Sequence, residues 1–173
     1  KIYKISELKF KEEAKIYDKK SFFPNYFLNL LNETELKSLL GYHSNLKSMN
    51  YHDEAKFYYY ASKYCANIRN YFLVSIGMVG AGVFKFGTQK QKNEYIKNTT
   101  KSQAIFSLAI TEKNAGSDIG SIRTTYKFKD NKFILNGTKT WITLGGKAKF
   151  FLLLANGEKG LILFFVKKNK SIQ

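Results

Sequence analysis

The sequence predicts an α+β chain: a helical N-terminal domain over residues 1–103, then a β domain over 104–173 built as an antiparallel sheet or partial barrel. Three observations carry this reading. Apolar residues recur at three- and four-residue steps before Lys101. Helix-start signals punctuate the same region. After Lys101 the pattern changes to short apolar runs and alternating strands separated by turn residues.

The helical signals come in order. Asn32 followed by Glu35 reads as a helix start, with a side-chain cap and a carboxylate reaching back. Asp53 is a candidate cap for a helix through "EAKFYYYASKYCANIRN", where Phe57, Tyr60, Ala61, Tyr64 and Ile68 form an apolar face. "GMVGAGVF" gathers Gly77, Gly80 and Gly82, but no strand precedes it and the spacing is not G-x-G-x-x-G. A buried helix using small residues for close packing is the better reading than a phosphate loop. Thr88 and Gln91 repeat the capping arrangement before "KNEYI". Four to six helices are expected up to about Asn98.

The strand signals follow. "AIFSLAI" is a short apolar run. In "TTYKFKD", Tyr126 and Phe128 alternate with Lys127 and Lys129, which suits a half-buried strand. Asp130-Asn131 is a turn candidate, and Asn136-Gly137 is a better one, since a type I′ turn wants positive φ at both central residues. "TKTWIT" leads into Gly145-Gly146. "FFLLLA" and "LILFFV" are two further strands around the turn-rich "NGEKG". Five or six strands are expected.

Composition bounds the function. The chain has 173 residues, 44% of them hydrophobic, so a packed core is expected. Lys and Arg number 29 against 13 Asp and Glu, a net charge of +16. That balance is open to nucleic acid, an anionic membrane or a polyanionic small molecule. The lysines are spread along the chain and form no block, which reads as compositional bias with room for phosphate-bearing ligands. Cys65 is alone, so no disulfide forms within the chain. No apolar run reaches the roughly 18 residues that span a bilayer, no targeting segment is visible, and no metal-ligating pattern is present. The Asn-x-Ser/Thr triplets at Asn32, Asn98, Asn136 and Asn169 are expected by chance in an Asn-rich chain.

Two segments carry chemistry. "TEKNAGSDIGS" (Thr111 to Ser121) follows a strand, a common place for a site. Gly116 frees the backbone and lets a ligand approach. Asn114 and Ala115 keep the surface low, and Thr111, Ser117 and Ser121 offer hydroxyls. The loop reads either as a cradle for a flat or phosphorylated ligand or as a tight turn with Asp118 bonded to its own backbone. "NGTKTWITLGG" holds the single Trp. Trp141 is either a core aromatic or part of a site, and Thr143 beside the Gly pair is either a site hydroxyl or a strand end.

Together, "AITEKNAGSDIGS" and, some twenty residues on, "LNGTKTWITLGG" resemble the acyl-CoA dehydrogenases, flavoenzymes that oxidise the α,β bond of acyl-CoA thioesters. "FGTQKQKNEYI" is similar to the helix before the first motif in that family. The resemblance runs from about Phe72 to Val166. Two departures are Lys113-Asn114 where the family usually has Pro-Gly, and Leu144 where it usually has Asn.

The resemblance implies FAD as cofactor. Leu108, Ala109, Ile110, Thr111, Gly116 and Ser117 would line it, with Thr111 bonding the pyrimidine end of the ring. Ser117 would also meet the substrate's pantetheine arm. Trp141, Ile142 and Thr143 would pack on the isoalloxazine, with the Thr143 hydroxyl near N5. In the family a carboxylate removes the α proton while the β hydride moves to N5. That Glu lies in a C-terminal helical domain, expected to be absent from this chain, which would end inside or just after the middle domain. No catalytic residue is therefore assigned here, and Glu112 is read as part of the loop motif. The resemblance further implies an acyl-CoA substrate, an electron-transferring flavoprotein as acceptor, a homodimer or homotetramer, fatty-acid or branched-chain amino-acid metabolism, and the mitochondrial matrix. An acyl-CoA oxidase or flavin monooxygenase relative is the alternative within the family. A basic, non-enzymatic module for anions or nucleic acid is the alternative outside it.

Overall fold

The computed structural model describes residues 14–20, 51–63, 65–101 and 104–172. The chain divides into two compact units, Lys1–Gln103 and Ala104–Gln173.

In the first unit the described helices are α1 (Ala14–Lys19), α2 (Tyr51–Ser62), α3 (Ala66–Asn70), a π-helical segment (Tyr71–Met78), α4 (Val79–Phe86) and α5 (Gln89–Thr100). The expected start at Asn32 and Glu35 lies outside the described residues. Helix α2 is already running at Tyr51, so Asp53 sits inside it and does not cap it. The single long helix expected through Asn70 is broken instead. The Ser62 hydroxyl bonds the Tyr59 carbonyl at 3.0 Å, a side-chain competitor for the helix's last turn. Cys65 is then extended, with φ −151 and ψ 109, before α3 begins. Ile68 is buried, but Tyr60 is exposed, so the apolar stripe does not run through both helices.

From Ala66 to Phe86 the chain is helical through all three segments, with αR backbone at each junction. "GMVGAGVF" lies here, as a helix and not a loop. Gly80 is small for a packing reason: a Cβ there would stand 2.7 Å from the Tyr95 hydroxyl. That buried hydroxyl donates to the Ser75 carbonyl at 2.7 Å, and the Tyr95 ring meets Phe84 edge-on at 5.6 Å. Helix α5 begins with the expected capping box, Thr88 and Gln91 each bonding the other's backbone N–H.

The second unit is a five-stranded sheet: β1 (Phe106–Ala109), β2 (Thr125–Lys129), β3 (Lys132–Asn136), β4 (Phe150–Gly157) and β5 (Gly160–Lys167). The hairpins β2–β3 and β4–β5 are antiparallel. The rest of the sheet is not: β1 and β2 both join β4 in parallel, so the sheet is mixed and open. Strand β4 is central because "FFLLLA" can be covered on both faces. Phe106, Phe150 and Phe165 stack across β1, β4 and β5 with centroids 4.9 to 6.1 Å apart.

The first hairpin turns at Asp130-Asn131, with φ 51 and 58, the two positive values a type I′ turn requires. Asn136-Gly137, the stronger candidate by sequence, is no hairpin turn. It ends β3, and Gly137 lets the chain pass close to Thr124, whose side chain a Cβ would strike. Among the described residues no helix is long and apolar enough to cross a membrane, and no group of His, Cys, Asp or Glu is placed to hold a metal.

Candidate functional site

Strand β5 takes one edge of β4 along its whole length, while β1 pairs with Phe150–Leu153 and β2 with Asn156. The chain between the end of β1 and the start of β2, residues 110–124, must therefore leave the sheet and return. That excursion holds the first candidate loop.

The loop is built on buried anchors. Glu112 and Ala115 form a two-residue bridge, with N–H to carbonyl distances of 2.9 and 3.2 Å. Lys113-Asn114 makes the turn with no positive φ, so the absence of Pro-Gly costs the backbone nothing here. Ala115 does not merely keep the surface low: it is buried against Ile122 and Leu154, with Ile110 alongside. Gly116 has an ordinary negative φ, and a Cβ there would meet open space. Its value is an unobstructed surface, not a special conformation. The Asp118 carboxylate accepts a hydrogen bond from the Ser121 hydroxyl beside a short 3₁₀ turn, Ile119–Ser121. In place of the Asp118 backbone bond that the tight-turn alternative called for, Asp118 holds Ser121.

The structure brings the second segment against the first. The Thr140 N–H donates to the Thr111 carbonyl at 2.9 Å. The Ser107 hydroxyl donates to the Thr143 carbonyl at 2.8 Å. The Lys139 ammonium donates to the Ile110 carbonyl and to Glu112 Oε1, both at 2.8 Å. No hydrogen bond within the described residues engages the Thr111, Ser117 or Thr143 side-chain hydroxyl. Thr140 Oγ1 is buried without a partner.

Trp141 is 91% exposed and so is not a core aromatic. It also has φ +56, and Leu144 has φ +62. Bulky residues avoid this region, and the strain, of order 1–3 kcal/mol each, persists where surroundings over-determine it, as at ligand sites. Position 144 is thereby explained: Asn adopts left-handed backbone at little cost, whereas Leu144 holds it under strain. An open cavity of about 630 Å³ lies beside the segment, lined by Ala109, Ile142, Gly145, Phe151 and Leu153 among others. Of the expected residues, Ala109 and Ile142 face it; Thr111, Gly116, Ser117, Trp141 and Thr143 do not.

The residues missed by sequence reasoning are Lys139, Thr124 and the structural use of Glu112. Besides Lys139, the Glu112 carboxylate accepts from the Arg123 N–H at 2.7 Å, the Thr124 N–H at 2.9 Å and the Thr124 hydroxyl at 2.5 Å. Burial alone would raise its pKa, but these bonds outweigh it and lower it to about 2. Glu112 cannot serve as a general base at neutral pH: its electron pairs are committed and its basicity is low.

Comparison with known proteins follows the same outline. Residues 107–172 match the family model of the acyl-CoA dehydrogenase middle domain. An acyl-CoA dehydrogenase of Bacillus subtilis (strain 168) is 39% identical over 92 residues, 50% of this chain and 24% of that protein. An acryloyl-CoA reductase (NADH) of Anaerotignum propionicum is 36% identical over 104 residues, 56% of this chain and 26% of that protein. The chain thus matches about a quarter of the length of these curated relatives. The solved structure of a glutaryl-CoA dehydrogenase from Mycobacterium smegmatis, in complex with FADH2, superposes with TM-score 0.83 over 96% of this chain and 43% of that one, at 21% identity, a likeness of fold. Over residues 107–172, the chain is thus similar in sequence to the middle domain of the acyl-CoA dehydrogenases.

Proposed function

We propose that this chain supplies the flavin-facing surface of an FAD-dependent acyl-CoA dehydrogenase. The observation that carries the reading is Trp141, a lone indole held outward by strained backbone, next to a residue bonded to Thr111. A large aromatic left in water on a rigid, strained segment fits a planar partner better than it fits the fold of this chain. The free hydroxyls of Thr111, Ser117 and Thr143 fit a ligand rich in hydrogen-bonding groups.

Bound FAD would supply the hydride acceptor for the β carbon of an acyl-CoA. The chain's own part is to hold and orient. Trp141 and Ile142 offer an apolar platform, and Thr111 and Thr143 offer hydroxyl donors on either side of the bonded junction. Ser117, on the open surface beside Gly116, has room for a phosphate or pantetheine contact. Glu112, its carboxylate committed to four hydrogen bonds, is not suited to remove the α proton.

Electron transfer to a flavoprotein acceptor and assembly as a dimer or tetramer belong to the same proposal. The test is to purify the full-length protein, denature it and identify released flavin by chromatography. FAD at about one per chain is expected. Failure to retain or rebind FAD overturns the reading.

A further inference from the structure

Resting on the flavin reading, we propose that Glu112 and Lys139 are positioning residues: their buried pair locks the Thr111 loop to the Trp141 segment and so sets the affinity and spectrum of the bound flavin. Neither residue carries a role in the readings above.

The geometry is a bracket around Thr111. Lys139 donates to the carbonyl of Ile110 on one side and to the carboxylate of Glu112 on the other, both at 2.8 Å. Between them, the Thr111 carbonyl accepts from Thr140, the neighbour of Lys139. Thr111 is thus held by the residue before it, by itself and by the residue after it. Glu112 is tied in turn to the backbone of Arg123 and Thr124, the two residues just before β2. The bracket therefore refers both hydroxyl-bearing segments to the sheet.

The pair lies beside a small cavity of about 170 Å³, lined by Glu112, Arg123, Thr124, Gly137, Thr138 and Thr140 among others. Both side chains are nearly covered, at 7% and 4% exposure. Replacing a buried pair by apolar groups is often neutral for stability, so its stabilising effect alone does not account for it. Its distinctive property is direction: it fixes the register of two loops that share no strand pairing.

The test uses the full-length holoprotein. Lys139→Met should weaken FAD binding by about tenfold, the worth of roughly one hydrogen bond, and should shift the visible flavin band of the folded, flavin-saturated protein. Lys139→Arg should restore most of both. A purely structural role would lower the melting temperature and leave the spectrum of the folded fraction unmoved. Should Lys139→Met not fold, Thr124→Val, which keeps every charge and removes one bond to Glu112, carries the same measurement with a smaller shift. Unchanged affinity and spectrum in the folded variants overturn the proposal while leaving the flavin reading intact. A wild-type protein that binds no FAD overturns both.

Discussion

Acid should unfold this protein partly through Glu112, and the size of that effect follows from its surroundings. Its folded pKa, about 2, lies below the ordinary 4.5 because four hydrogen bonds to the charged form outweigh the cost of burial. A depressed carboxylate pKa contributes stability that is complete above the unfolded value. It is lost as pH falls from about 4.5 to about 2. At about 1.4 kcal/mol per pH unit the gap is worth about 3 kcal/mol. Solvent in the adjoining cavity screens part of it, leaving about 2 kcal/mol. The assay is urea unfolding followed by circular dichroism, for wild type and Glu112→Gln, at pH 7, 4 and 2.5. Other carboxylates titrate in both proteins and cancel in the difference. The wild type's advantage should shrink by most of that 2 kcal/mol between pH 7 and 2.5. An advantage constant within about 0.5 kcal/mol would refute the reasoning.

Three further outcomes are expected. Gly80→Ala should destabilise the helical unit by about 2 kcal/mol, since its Cβ must displace the Tyr95 hydroxyl from Ser75; thermal denaturation reads it. Leu144→Asn should stabilise by about 1 kcal/mol by relieving left-handed strain, measured by urea midpoint; a loss of stability would place the leucine side chain above its backbone in importance. In the flavin-free protein, Trp141 emission should be water-like and readily quenched by acrylamide, and a blue-shifted, protected spectrum would contradict its exposure.

What was legible in the sequence was local. The Thr88–Gln91 capping box is complete within four residues. The β2–β3 hairpin follows from alternation and two turn-forming residues. Misreadings arose where a neighbour far along the chain decides. Asn136-Gly137 has the composition of a turn, yet its Gly serves a close approach to Thr124. The parallel joining of β1 and β2 to β4 depends on pairings 31 to 44 residues apart. Lys139 stands 27 residues from Glu112. In a chain with so many lysines, nothing local marks Lys139 as one whose side chain is covered.

The strained segment and the buried pair belong to one balance. Trp141 and Leu144 each hold a conformation that costs about 1–3 kcal/mol. Such backbone relaxes unless something opposes it. The opposing contacts are the bonds that flank the segment: Thr140 to Thr111, Lys139 to Ile110 and Glu112, and Ser107 to Thr143. Each bond is worth about 1 kcal/mol net, and those to charged groups more. Their total is comparable with the strain, so loss of the Lys139 bonds alone can tip it. The indole's outward pose then depends on Lys139, two residues back in sequence, and on its partner Glu112, not on any packing of the ring itself. That dependence explains why the small and hydroxyl-bearing residues cluster where they do. A bulky side chain at Ala115 would push the bridge off its buried seat beside Ile122 and Leu154. The loop would then carry Glu112 away from Arg123, Thr124 and Lys139 together.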